Sequence, residues 1–273
     1  MRPPIAAEER KKHIKLIRRV KTAYHRMDSE AILGMKPTGG QARPMASKKP
    51  ATQRKPRAPK KAAHRKPVFR YEPAEALAHL RANDAVLGTL IERIGPFGLE
   101  LRSVGSLFEA LLRSIIYQQL HGKAAAAIHT RVLAVLEQHG GPTPLALAAS
   151  TDVELRGAGL SGSKTAAVRD LAAKCLASVV PTLEESHDLP DEELIARLTE
   201  VRGIGPWTVQ MLLIFHLGRP DVMPTGDYAI RQAFKRLYGK RKEPKPEAIL
   251  KHARRWQPYR SIASWYLWRS MGE

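Results

Sequence analysis

Asp227 sits in "PTGDYAIRQAFKRLYG", directly after Thr225-Gly226 and at the head of a segment whose apolar positions, Ile230, Phe234 and Leu237, share a helical stripe. An aspartate there caps a helix, and the positive end of the helix favours its carboxylate. Twenty-four residues upstream, "VRGIGPWTVQMLL" places Gly203 and Gly205 around Ile204, then Pro206 and Trp207. Both glycines permit positive φ and close approach of another backbone, and Pro206 suits a first helical position. Amides of such a hairpin point outward and fit a phosphate. An ordinary tight turn between helices would read the same way. A fixed anion near a phosphate-gripping hairpin suits a reaction in which positive charge develops on a bound sugar.

The elements that must position these groups are helical. "PAEALAHLRANDAVLGTLIERIG" has helical apolar spacing throughout and reads as one helix. "SLFEALLRSIIYQQL" puts Leu107, Leu111, Ile115 and Ile116 on one stripe, and "KAAAAIHTRVLAVLEQHGG" stops at Gly140-Gly141. "SKTAAVRDLAAKCLASVV" ends before Pro181. "LPDEELIARLTEV" opens with Pro190 and three acidic residues, as a helix N-terminus should. "WTVQMLLIFHLG", "YAIRQAFKRLYG", "KPEAILKHARRW" and "SIASWYLWRSM" follow. No stretch alternates as a strand does, so the body is all-α, with nine or ten helices and short connections.

Charge and cysteine usage narrow the chemistry. The 273 residues carry a formal net charge of +20, which favours a polyanionic partner such as nucleic acid. Residues 1–66 hold 20 Lys and Arg against 4 Asp and Glu, whereas the other 207 hold 26 against 22. Residues 36–67 contain almost nothing large and apolar and read as disordered. The domain division is therefore a basic tail over 1–68 and a folded domain over 69–273. Such a tail adds salt-sensitive phosphate affinity; a solubilising extension is the alternative. The single cysteine, Cys175, excludes an internal disulfide, a four-cysteine zinc site and an iron–sulfur cluster. No run of about 18 apolar residues is present, and "MRPPIAAEERKKHIKLIRRV" lacks the apolar stretch of a secretory signal. A cytoplasmic or nucleoid location, or a nuclear one in a eukaryote, is expected.

Taken together, "IIYQQLHGKAA", "RGAGLSGSKTAAVRDLA", "GIGPWT", "PTGDY" and "QPYRSIASWYLW" resemble the helix–hairpin–helix base-excision DNA glycosylase superfamily, in particular its DNA-3-methyladenine glycosylase II, or alkylpurine, branch. The resemblance runs from about residue 72 to 271. It implies two helical subdomains with the active site in the cleft between them, and double-stranded DNA with alkylated bases as the partner of a monomer. It also implies extrusion of an alkylated purine and cleavage of its N-glycosidic bond. Asp227 then stabilises the oxocarbenium-like sugar, and Trp207, Met211, Tyr228 and Trp268 line a pocket for a cationic base. Gln119 fills the gap left by the base, with Leu120 as a wedge and His121 in the minor groove. Lys123, Lys164, Gly203, Ile204, Gly205 and Thr208 meet the DNA backbone. No cofactor is required, but the backbone carbonyls of Thr199, Val201 and Ile204 are placed to hold a Na⁺ or K⁺ ion.

Three departures sharpen the resemblance. Trp207 stands where lyase-competent relatives carry a nucleophilic lysine, so strand cleavage through a Schiff base is not expected. Iron–sulfur cysteines near the C-terminus are absent. Gly226 rather than a second aspartate precedes Asp227, and the N-terminus reads as a tail rather than an added β domain. A non-catalytic DNA-binding module, or a glycosylase for ethenoadenine or hypoxanthine, remains open at this point.

Overall fold

The computed structural model describes residues 68–272, in which all regular structure is helical. The tail expectations for residues 1–67 lie outside the described residues. Thirteen α-helices follow one another: α1 (Pro73–Asn83), α2 (Ala85–Ile94), α3 (Leu107–Tyr117), α4 (Gly122–Gln138), α5 (Pro144–Ala149), α6 (Asp152–Gly157), α7 (Gly162–Leu176), α8 (Leu183–Asp188), α9 (Asp191–Thr199), α10 (Pro206–Phe215), α11 (Tyr228–Leu237), α12 (Pro246–Ala253) and α13 (Arg260–Arg269). One 3₁₀ turn, Arg254–Trp256, links the last two.

The expected single helix over 73–94 is two. It breaks at Asp84, whose backbone is extended (φ −151°, ψ 96°) and whose carboxylate caps α2 by accepting from the Leu87 amide at 3.0 Å. Asp84 is 5% exposed and also accepts from Tyr238 Oη (2.8 Å), His252 Nε2 (2.9 Å) and Trp256 Nε1 (3.0 Å). Burial pushes its pKa up, but these donors, led by the Leu87 amide, outweigh burial and leave it below the ordinary value. Burial and nearby Arg255 hold His252 below its ordinary pKa despite the facing carboxylate, so it acts as a neutral N–H donor. The other extra helices, α5, α6 and α8, have six residues each and are too short for periodicity to reveal. Two of them open with capping boxes, Thr151 with Glu154 and Thr182 with Glu185.

Two apolar cores divide the helices into lobes. The middle lobe, α3 to α10, packs Leu111, Ile115, Ile116, Leu171, Leu198, Leu213 and neighbours. The second joins chain segments from opposite ends, with Leu80, Leu87 and Ile91 of α1–α2 against Ile230, Phe234, Trp256, Ile262 and Leu267. Phe97, Trp265 and Trp268 pack against both cores and so sit at the seam. Helix α10 is apolar nearly all round because it runs through the middle lobe: Val209 and Met211–Phe215 are all buried. Helix α11 is amphipathic, with its buried Ala229, Ile230, Ala233 and Phe234 facing the second lobe.

Candidate active site

The hairpin between α9 and α10 is held from inside. Val201 and Ile204 are 1% and 4% exposed, and the Ile204 amide donates to Val201 O at 3.0 Å. The Arg202 amide donates to Asp170 Oδ2 of α7 at 2.7 Å. Gly203 has φ +82°, a left-handed conformation that any side chain would strain. Gly205 differs from the expectation: its φ is −104°, which any residue adopts, and a Cβ there meets nothing within 4 Å. Its smallness leaves open space rather than backbone freedom. Among the described residues the amides of Gly203 and Gly205 have no acceptor. The Thr208 amide donates to Gly205 O, and its side chain is half-buried in the first turn of α10.

Asp227 lies where the lobes meet. A tight turn, in which its amide donates to Pro224 O at 2.9 Å, delivers it to the N-terminus of α11. Its Oδ1 accepts from the Ile230 amide at 2.9 Å and from Trp268 Nε1 at 3.1 Å; its Oδ2 accepts from Trp207 Nε1 at 2.8 Å. One indole comes from α10 of the middle lobe and the other from α13 of the second. The carboxylate is thus fixed by three donors from three helices, in a half-buried position. Phe215 stacks on Trp268 with centroids 5.6 Å apart and planes at 28°, which steadies that indole. Tyr228 follows Asp227 and is half-buried. Met211 is placed elsewhere than expected: at 4% exposure it belongs to the middle-lobe core and presents little surface to a ligand.

The loop after α3 comes close to the hairpin. Gln119 is exposed and has φ +57°, Leu120 is half-buried, and His121 is exposed at the N-cap of α4. Lys123 is exposed in the first turn of α4. Lys164 departs from the expected phosphate contact. Its amide caps onto Ser161 Oγ at 3.3 Å, and its ammonium turns inward to Ile116 O (2.6 Å) and Gln118 O (2.9 Å). Gln118, which residue type alone does not distinguish from Gln119, donates from Nε2 to Gly203 O at 2.8 Å. Asp170 was equally invisible, since its hairpin partner is 32 residues away.

The carbonyls of Thr199, Val201 and Ile204 belong to the end of α9 and the hairpin; Val201 O already accepts one amide, and the Thr199 hydroxyl turns back to Ile195 O. Among the described residues no cluster of His, Cys, Asp or Glu could hold a metal ion. Cys175 is half-buried, and burial pushes its thiol up to about 11, so it is a packing residue.

Residues 112–258 match the model of the HhH-GPD superfamily of base excision DNA repair proteins. The chain belongs to the HhH-GPD superfamily. The superfamily match contains the α3–α4 loop, the hairpin and Asp227, while α1, α2 and Trp268 lie beyond it. DNA-3-methyladenine glycosylase 1 of Schizosaccharomyces pombe is 40% identical over 163 residues, which cover 60% of this chain and 72% of that protein. Among solved structures, the S. pombe 3-methyladenine DNA glycosylase Mag1 in complex with abasic DNA matches with a TM-score of 0.63 and 36% identity, covering 73% of this chain and 97% of that one. A DNA-3-methyladenine glycosidase from Bacillus halodurans matches with a TM-score of 0.66 and 32% identity, over 74% and 90% of the two chains.

Proposed function

We propose that the chain is a monofunctional DNA glycosylase that extrudes an alkylated purine of the 3-methyladenine or 7-methylguanine type from duplex DNA and hydrolyses its N-glycosidic bond. The observation that carries this reading is the Asp227 carboxylate, fixed by two indole N–H groups and a helix N-terminus at the seam between the lobes. A purely DNA-binding protein has no use for a rigid anion in that place. The resemblance to DNA-3-methyladenine glycosylases supplies the substrate class.

Alkylation at N3 or N7 makes the purine cationic and a good leaving group. The C1′–N9 bond breaks with its electron pair going to the base, which neutralises it, and positive charge moves to the sugar. Asp227 stabilises that charge and orients the water that adds to C1′, whose proton is released as the abasic site forms. Trp207 and Trp268 hold the carboxylate by their edges, and their faces attract an electron-poor ring. The amides of Gly203 and Gly205 grip the DNA backbone, with Ile204 buried beneath them and the Thr208 side chain alongside, while Gln119 fills the place of the extruded base, Leu120 wedges beside it and His121 enters the minor groove. A monovalent cation at the carbonyls of Thr199, Val201 and Ile204 fits a donor set of neutral oxygens and would steady the hairpin.

Base release from duplexes containing 3-methyladenine or 7-methylguanine, followed in single turnovers with an undamaged duplex alongside, tests the reading. Release of the alkylated base alone, leaving an intact abasic strand, is expected. Tight binding without release overturns it, and release confined to ethenoadenine or hypoxanthine moves the substrate class.

A further inference from the structure

We propose that Lys164 and Gln118 form a strap joining the base-displacing loop to the phosphate-gripping hairpin, and that Lys164 is a positioning residue for Gln119. This rests on the glycosylase reading above.

Helix α3 ends at Tyr117, and its last carbonyls have no partner within the helix. The Lys164 ammonium supplies one, bonding Ile116 O at 2.6 Å and Gln118 O at 2.9 Å, which also sets a cation at the negative end of α3. Immediately beyond comes Gln119, one of two non-glycine residues with positive φ among the described residues. A residue that bears a side chain is strained in the left-handed region and persists there only where its surroundings hold it. The hold on Gln119 is the bond from Lys164 to the carbonyl just before it, together with the Leu120 amide on Tyr117 O at 3.3 Å.

The same peptide reaches the hairpin. Gln118 donates to Gly203 O at 2.8 Å, so the loop is bonded directly to the turn whose Gly203 and Gly205 amides have no acceptor among the described residues. Helix α7 braces both. Lys164 in its first turn holds the loop, and Asp170 less than two turns later holds the Arg202 amide at 2.7 Å. Between them Ala167 packs against Gly203, where an added Cβ would lie 3.7 Å from Ala167 Cβ. Seating a phosphate on the hairpin and inserting Gln119 into the duplex are therefore steps of one rigid assembly. Two of the three N–H donors of Lys164 are already committed to carbonyls, which separates this role from that of a phosphate ligand.

The experiment compares wild type with Lys164→Met and Gln118→Ala, which cut the strap at different bonds, on two duplexes. One carries 7-methylguanine opposite cytosine. The other carries it opposite an abasic site, so that little pairing opposes extrusion. Single-turnover base release is read on both. Fluorescence of 2-aminopurine next to the lesion is also read, because it brightens on unstacking without any chemistry. Each variant should slow release at least tenfold on the paired duplex and less than threefold on the unpaired one, with reduced brightening. An equal loss on both duplexes, unchanged release and brightening, or a loss confined to DNA affinity with a smaller salt slope would overturn the strap. A variant that does not melt cooperatively is replaced by the other. Wild type that brightens but releases no base would instead overturn the glycosylase reading and leave the strap to be judged on brightening alone.

Discussion

Replacing Asp227 with Asn separates charge from architecture. Asn caps a helix as well as Asp does, so its Oδ1 can keep both the Ile230 amide and the Trp268 indole that Oδ1 of Asp227 now serves. What changes is the other arm, where an NH₂ group faces the Trp207 N–H that Oδ2 accepts at 2.8 Å. One hydrogen bond to a charged group is lost, worth about 1.5–3 kcal/mol at most in stability. The transition state loses its anion, and removal of one preorganised stabilising group costs roughly 3–4 kcal/mol of barrier. At about 1.4 kcal/mol per factor of ten, single-turnover release of 7-methylguanine should fall about 10²–10³-fold. DNA affinity should hold or rise, because a negative charge near phosphates has gone. The assay is quenched single-turnover base release with protein in excess, beside a binding titration and a thermal melt of the variant. A rate within tenfold of wild type would refute the electrostatic role of Asp227. So would a rate loss matched by lost binding or folding.

Other perturbations test the frame around it. Asp84→Ala strands the donors of Tyr238, His252 and Trp256 in the second core and should cost about 3 kcal/mol or more, lowering Tm by roughly 6–12 °C. Because the folded pKa values of Asp84 and His252 both lie below their ordinary values, the stability they supply is present at neutral pH. It should fade on acidification, first below about pH 6.5 as unfolded histidine gains a proton and then below about pH 4, and a Tm–pH series on wild type and Asp84→Asn reads this. Gly203→Ala forces a side chain into φ +82° and should cost about 1–2 kcal/mol. Gly205→Ala has open space and an ordinary φ, so it should leave Tm unchanged while weakening binding to duplex DNA; equal melts and equal affinities for both variants would remove the hairpin from the interface. Borohydride reduction with abasic DNA should trap no covalent complex, since Trp207 offers no amine. Deleting residues 1–66, with their excess of 16 positive charges, should weaken DNA binding and flatten its salt dependence with single-turnover release nearly unchanged.

The long helices and the all-α class were legible because apolar spacing reports which face of a helix is buried. The break at Asp84 was not: helical spacing continues through it, and besides the local cap on the Leu87 amide its carboxylate is held by three donors more than 150 residues downstream. The capping boxes at Thr151 and Thr182 carried a readable local signal for α6 and α8, although neither helix is long enough to show a period. At the site, the Gly-Ile-Gly turn and Asp227 stand out by residue type, and the structure adds that Trp207 and Trp268 meet the carboxylate by their N–H edges. The inward turn of Lys164 and the burial of Met211 could not be read, because spacing places a residue on a helix but not the distant carbonyl or core its side chain reaches.

The second lobe is assembled from the two ends of the folded region, with α1 and α2 completing a core whose other walls are α11 to α13. During synthesis the middle lobe emerges as one uninterrupted stretch and can collapse on its own, whereas α1 and α2 must wait for about 130 further residues before their apolar faces are covered. Trp207 is present long before Asp227, and Asp227 before Trp268. The constellation that fixes the carboxylate therefore closes only when the last helix has left the ribosome, so a nascent or C-terminally truncated chain already holds the hairpin and Asp227 while the carboxylate still lacks its Trp268 donor.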